Sequence, residues 1–191
     1  MAGYRITKVA TLYEGWRKLL GFTVQNPDGR TMEREILDTG DAAAVLPYDP
    51  HRRTVILVRQ FRVPALHRQD EQSLLEAIAG LLEGSAPADC ARREAMEEAG
   101  LRLGALEPVG AAWSSPGATL EMMHLFLAPY APADRVGEGG GLPEEHEDIE
   151  VLEIGCADLA RMLDRNEIGD LKTLSLVQAL RIRHPDLFEA A

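Results

Sequence analysis

Cysteine is scarce in this 191-residue chain: Cys90 and Cys156 are the only two. They form no metal-type spacing and suggest no disulfide framework, so a reduced, cytoplasmic compartment is expected. Basic residues are also in deficit, with 20 Lys and Arg against 31 Asp and Glu and a formal net charge of -11. A sequence-independent nucleic-acid binder needs a basic face, so no nucleic-acid partner is expected. An anionic substrate must then be drawn in by local arginine clusters or metal ions. No apolar run approaches the ~20 residues of a membrane span, so no membrane partner is expected. The opening Met1–Ile6, with Arg5 and Lys8 around it, has no signal-peptide core. Repeats, low-complexity tracts and any strand–helix alternation of a doubly wound sheet are missing too. What is present is a 46% apolar chain, long enough for one domain with a real core.

Turn chemistry divides the chain. Leu19–Val24 is apolar, Asn26-Pro27-Asp28-Gly29 is a strong turn, and Thr31–Leu37 alternates back, so residues 1–40 read as an amino-terminal hairpin extension. Residues 41–191 form the main domain. In it, Asp41–Pro47, Thr54–Val63, Leu74–Ile78, Leu106–Trp113, Glu121–Pro129 and Asp148–Ile154 read as strands. Pro87–Ala99 has no glycine, starts on proline and stops at Gly100, which is helix punctuation. Two further helices are expected near Ala157–Arg165 and Leu171–Arg183, after a Gly-, Glu- and Pro-rich loop over Ala131–Glu147. The expected fold class is α+β: an α/β/α sandwich with a mixed sheet.

The helix over 87–99 carries the chemistry. At about 100° per residue, Glu94, Glu97 and Glu98 fall on one face, with Ala91, Ala95 and Ala99 beside it for close packing on a sheet. Like charges at i,i+4 cost a helix about 0.2–0.5 kcal/mol per pair, so such a trio wants a cation. Hard divalent ions take carboxylate oxygens, and magnesium commonly adds water and substrate phosphates. Many solvated helices share this spacing, and spacing alone does not separate the two readings.

The wider segment Gly80-Leu81-Leu82-Glu83-Gly84-Ser85-Ala86-Pro87, continuing to Arg93-Glu94-Ala95-Met96-Glu97-Glu98-Ala99-Gly100-Leu101, resembles the Nudix box. That pattern runs Gly, five residues, Glu, seven residues, Arg-Glu, an apolar residue, any residue, Glu-Glu, any residue, Gly and an apolar residue. The second half matches throughout, with Ala95 as the apolar member. The first half departs from it. Gly80 to Arg93 is one residue short, and the first glutamate falls on Ser85 or Ala86, neither acidic. In the family that glutamate supports the loop–helix geometry, often through the box arginine, so the departure bears on loop rigidity more than on metal binding.

Beyond the box, Arg59-Gln60-Phe61-Arg62-Val63, Leu75-Glu76-Ala77-Ile78-Ala79-Gly80 and Ser115-Pro116-Gly117 with Glu121 look like the ADP-ribose and nucleoside-diphosphate-sugar pyrophosphatase branch. The short box, Gly139-Gly140-Gly141 and Glu147-Asp148-Ile149-Glu150-Val151 look closest to its GDP-mannose pyrophosphatase subgroup. The resemblance implies hydrolysis of a nucleoside diphosphate sugar with Mg2+, which Mn2+ can replace. It places the metal on Glu94, Glu97, Glu98, the Ala79 carbonyl and Glu147, with Glu94, Glu98 and Glu147 catalytic. Substrate contacts would come from Ala79, Gly80, Leu81, Arg62, Pro116 and Glu121. Trp16 would lie near the base, with Glu33, Arg34 and Glu35 along the nucleotide, reached across a homodimer. Guanidinium forks suit phosphate oxygens, which makes Arg62, Arg59 and Arg34 candidates in their own right, Arg62 foremost. Of the late glutamates, Glu144 and Glu145 read as solvated and Glu147 fits best, with the triple glycine supplying a hinge. His124, inside a strand pattern, and His146, in the loop, read as structural and solvated. Two other classes stay open: a module that binds a nucleotide sugar without cutting it, and a triphosphate housecleaning hydrolase, which the Ser-Pro-Gly segment and long hairpin disfavour.

Overall fold

The computed structural model describes residues 3–142 and 148–189. It divides into two units, Met1–Asp41 with Ala112–Met123, and Ala42–Ala111 with His124–Ala191.

In the first unit β1 (Arg5–Glu14), β2 (Lys18–Gln25) and β3 (Thr31–Asp38) form an antiparallel meander in that order. The β2–β3 register is unbroken from Lys18 opposite Asp38 to Gln25 opposite Thr31. Gly29 takes the left-handed position of the turn at φ 87 and donates to the Asn26 carbonyl at 3.0 Å, while Asp28 accepts from the Arg30 amide. The expected hairpin therefore has a third strand. β1 escapes sequence reading because its pairing with β2 slips twice and Tyr4, Ile6, Val9, Leu12 and Tyr13 are exposed, which removes the in–out alternation. A turn at Ser115–Thr119 is tied to β3, with Leu37 donating to Ala118 and accepting from Leu120.

The second unit is built around a seven-stranded sheet in the order β10-β5-β4-β9-β8, with β6 added to β5 and β7 to β4. Its strands are β4 (Ala42–Asp49), β5 (Thr54–Gln60), β6 (Leu74–Glu76), β7 (Ile78–Leu81), β8 (Glu107–Trp113), β9 (Met122–Pro129) and β10 (Glu150–Gly155). Among the described residues four α-helices complete it: α1 (Val63–Gln69), α2 (Pro87–Ala99), α3 (Cys156–Asp164) and α4 (Leu171–Arg183). β4 is buried along its whole length, which its Ala-Ala-Ala-Val-Leu run allows. Cys90, Ala91, Ala95 and Ala99 of α2 pack against Val45, Ile56, Val58, Ile78 and Phe126. Small side chains let the helix axis come close, and enlarging one would cost about 1–3 kcal/mol by overpacking. The expected strand through Val63 instead ends at Gln60; Arg62 is the extended cap of α1, and Pro64 sits in its first turn. Among the described residues no helix is long and apolar enough to cross a membrane.

Candidate active site

The site begins where two strands part. β4 pairs with β5 only at Tyr48 and Asp49, and beyond the imino residue Pro47 it pairs with β7 instead, from Val45 opposite Ile78 to Ala42 opposite Leu81. β5 meanwhile takes β6, with Val58 opposite Glu76. The single apolar segment Leu74–Leu81 thus serves two partners and changes sides at Ala77. There the Ala77 amide donates to Thr173 Oγ1 of α4 at 2.6 Å. This changeover sets Glu76 on one side and Gly80 on the other, both facing groups that carry charge.

Gly80 meets α2. A Cβ built on it would lie 1.9 Å from Glu94 Oε1, so the carboxylate rests directly on the strand backbone. Glu94 is 9% exposed and Glu98 2%. Arg93 Nη1 lies 2.7 Å from Glu94 Oε1 and 3.0 Å from Glu97 Oε2, and its Nη2 donates to the Leu81 carbonyl at 2.9 Å. Burial works against the guanidinium charge, but Glu94 and Glu97 hold its pKa above the ordinary arginine value. With no acid at Ser85 or Ala86, the arginine has turned to a backbone carbonyl and its own helix neighbours. The loop itself folds tightly, with Glu83 and Gly84 at φ 49 and 85 and Ser85 donating to Leu82 at 2.7 Å. Cys90 Sγ points under the same loop toward the Gly80 and Leu81 carbonyls at 3.5 and 3.3 Å, and burial pushes its thiol up.

Glu97 and Glu98 stand in the last turn of α2, which carries no basic residue. Carboxylates there oppose the helix dipole, at about 0.3–1 kcal/mol each, which adds to the demand for a cation. Among the described residues no three acidic, His or Cys side chains already converge closely enough to hold a metal. Glu94 and Glu97 do converge on one positive nitrogen, that of Arg93, and all the side-chain donors are hard carboxylate oxygens. By donor chemistry the residues fit a hard divalent ion.

A second charged cluster adjoins Glu98. Glu76, 2% exposed, accepts from Arg62 Nε at 2.7 Å and Nη2 at 3.0 Å, and is ion-paired with Lys172. Burial would raise the Glu76 carboxyl, yet the Arg62 hydrogen bond and the charges of Lys172 and Arg62 keep it below the usual carboxylate range. Burial disfavours the Arg62 charge as well, but Glu76 first, then Glu98 and Asp170, push its pKa above the ordinary value. Asp170 caps α4 by accepting from the Thr173 amide at 2.9 Å and binds Lys172 Nζ at 3.1 Å. Two cations thus share one buried carboxylate. Sequence reading passed over Glu76, Lys172, Asp170 and Thr173. A lone carboxylate inside Leu74-Leu75-Glu76-Ala77-Ile78 and the capping pattern Asp170-Leu171-Lys172-Thr173 were the available signals.

The structure therefore brings Arg62, Gly80, Leu81, Glu94, Glu97 and Glu98 into connected clusters of the second unit, with Ala79 next to Gly80 in β7. Arg59 is engaged with Glu150 at 2.8 Å. His124 is half-buried in β9. Trp16, Glu33, Arg34, Glu35, Pro116 and Glu121 belong to the first unit. There Trp16 is 90% exposed with the Arg17 guanidinium 4.4 Å above its ring, Glu33 accepts from Thr23, and Arg34 donates to the Glu33 carbonyl. Pro116 lies in the Ser115–Thr119 turn, and the Glu121 carbonyl accepts from Ser114. Glu144, Glu145, His146 and Glu147 lie outside the described residues. Gly139–Gly141, read as a hinge, is packed on the end of α2.

Known proteins resemble this chain in sequence and in fold. The NUDIX domain family matches residues 38–177. A GDP-mannose pyrophosphatase of Cronobacter sakazakii is 41% identical over 165 residues, 85% of each chain. One from Pectobacterium atrosepticum is 44% identical over 151 residues, 78% of this chain and 77% of its own. A crystal structure of an ADP compounds hydrolase superposes with TM-score 0.77 at 18% identity, covering 96% of this chain and 95% of that one, a likeness of fold.

Proposed function

The chain belongs to the NUDIX domain family, and on that footing we propose that it hydrolyses the diphosphate link of a nucleoside diphosphate sugar to a nucleoside monophosphate and a sugar 1-phosphate. One observation carries this reading: Glu94, Glu97 and Glu98 share a face of α2, with Glu94 laid on Gly80. The names of the relatives support the substrate class, GDP-mannose before others.

Divalent metals are usual in the family; here Mg2+, or Mn2+ in its place, would be held by Glu94, Glu97, Glu98, the Ala79 carbonyl and Glu147. Such an ion neutralises the charge that develops on the leaving phosphate and makes bound water more acidic. Arg62 takes up diphosphate oxygens, since its guanidinium is 42% exposed while Glu76 holds it from one side; Lys172, paired with both Glu76 and Asp170, supports that carboxylate. Glu76 fixes the direction of the Arg62 fork. Glu147 orients and deprotonates the attacking water. Positioning and charge neutralisation supply most of the rate, as expected for phosphoryl transfer.

The reading includes a homodimer, which the exposed Tyr4, Ile6, Val9, Leu12 and Tyr13 of the first unit favour. Across it Trp16, Glu33, Arg34 and Glu35 reach the nucleotide, with Pro116 and Glu121 as further substrate contacts. A cytoplasmic location is in keeping with two free, buried cysteines. The test is to incubate pure protein and Mg2+ with GDP-mannose, ADP-ribose, UDP-glucose and a dinucleoside polyphosphate and to compare rates. GDP-mannose should be cut fastest, and Glu98→Gln should lower turnover about 10²–10³-fold with the fold intact. Absence of product from every substrate, or full activity in that variant, would overturn the assignment.

A further inference from the structure

The segment Val136–Gly141 lies backbone-to-backbone on the carboxyl end of α2. Helix ends leave carbonyls without intrahelical partners. Here Gly141 donates to the Glu97 carbonyl at 3.2 Å and Gly140 to the Glu98 carbonyl at 2.8 Å, while Val136 and Gly137 donate to the Gly100 carbonyl. The fit leaves no room for side chains. A Cβ on Gly139 would sit 2.3 Å from the Glu98 carbonyl oxygen and 2.6 Å from Ala99 Cα; one on Gly100 would sit 2.2 Å from the Gly137 carbonyl oxygen. These are backbone atoms, so no rotamer change can relieve the clash. Gly139, Gly140 and Gly141 also hold φ 75, 110 and 81, the region that favours glycine.

The contact continues into the sheet. The Gly140 carbonyl accepts from Ile149 at 3.2 Å, and β10 then pairs with β5 from Glu150 opposite Arg59. Gly140 therefore joins the last turn of α2 to the start of an outer strand through one peptide on each side.

We infer that Gly139–Gly141 is a positioning clamp for Glu97 and Glu98, and that cation occupancy at these carboxylates is coupled to the two hydrogen bonds their carbonyls accept. This rests on the hydrolase reading above. The glycines touch no substrate; they act by fixing the backbone from which two acidic side chains project. Coupling is reciprocal: if the clamp favours a bound cation, a bound cation tightens the clamp.

Three measurements test it. Mn2+ binding without substrate, followed by the electron paramagnetic resonance of free Mn2+, should weaken roughly tenfold in Gly139→Ala. Gly29→Ala serves as control, because Gly29 has a similar φ of 87 but open space around it; its Mn2+ affinity should match the wild type. In steady-state assays Gly139→Ala should lower kcat with KM nearly unchanged, a split that general loosening would not produce. The third readout needs no variant: in the wild-type chain, exchange of the Gly140 and Gly141 amides should slow when Mg2+ is added. Unchanged Mn2+ affinity in Gly139→Ala, or amide exchange indifferent to Mg2+ in a wild type that binds metal and turns over substrate, overturns the clamp alone. A wild type that neither binds Mn2+ nor cleaves any nucleotide sugar overturns clamp and hydrolase reading together.

Discussion

Replacing Glu76 by Gln keeps its shape and removes its charge. The wild-type carboxylate accepts two hydrogen bonds from Arg62 and pairs with Lys172 at a site only 2% exposed. An amide offers one acceptor oxygen, and its NH2 must face a donor, so at least one cation loses its partner. Breaking a fully buried pair costs about 3–5 kcal/mol, because the other charge is left uncompensated. Lys172 retains Asp170 at 3.1 Å and the Arg62 side chain is 42% exposed, which brings the expectation down to about 2–3 kcal/mol. For a chain of this size that is a fall of about 5–10 °C in Tm by calorimetry at neutral pH. The pH dependence has a definite sign. Because Glu76 is held below its ordinary value in the fold, its contribution is complete above the unfolded carboxyl value of about 4.3 and is lost as pH falls through the folded value. The Tm gap between wild type and Glu76→Gln should therefore close in acid. KM should rise about tenfold as Arg62 loses its direction. A Tm fall under about 2 °C, or a gap that persists at acid pH, would refute the reasoning.

Gly80→Ala should push the Glu94 carboxylate off the strand and lower turnover about 10²-fold with an unchanged circular dichroism spectrum; a loss under tenfold would mean that Glu94 relocates freely. Arg93→Ala removes the contacts to Leu81, Glu94 and Glu97, and should cost about 1.5–3 kcal/mol in chemical denaturation and speed proteolysis within residues 82–86. Both cysteines are buried, and burial raises the Cys156 thiol to about 11. Neither should react with a thiol reagent at neutral pH until the protein unfolds. Tyr48 bonds to Glu107 and lies 3.3 Å from His184 Nε2; Tyr48→Phe should cost about 1 kcal/mol of stability and leave turnover as it was.

Local punctuation made α2 legible: Pro87 and Gly100 delimit the helix that the structure contains, and its periodicity put Glu94, Glu97 and Glu98 on one face. β1 was not legible, since a strand exposed on both faces has no period to detect. α1 was hidden because apolar Phe61 and Val63 prolong the look of β5 past Gln60. The split of Leu74–Leu81 at Ala77 depends on which strands lie alongside, a tertiary fact. For the same reason the arginines could be nominated but not ranked by contact: Arg62 finds Glu76, whereas Arg59 finds Glu150. The missing box acid pointed to the loop as the weak place, but nothing local foretold that Arg93 would settle on the Leu81 carbonyl.

Glu76 and Lys172 meet across 96 residues of chain, and Ala77 reaches Thr173 over the same distance. Closing so long a loop is entropically unfavourable and is offset only when many other contacts form with it. Arg62 finds Glu76 only 14 residues away, but the same carboxylate is held from its other side by Lys172, so the setting is complete only with α4 in place. A form with the sheet and α2 but without α4 would lack Lys172 and Asp170 beside Glu76. On the proposed role of Arg62, turnover during refolding should recover no earlier than the docking of that helix, which amide exchange at Ala77 would time independently.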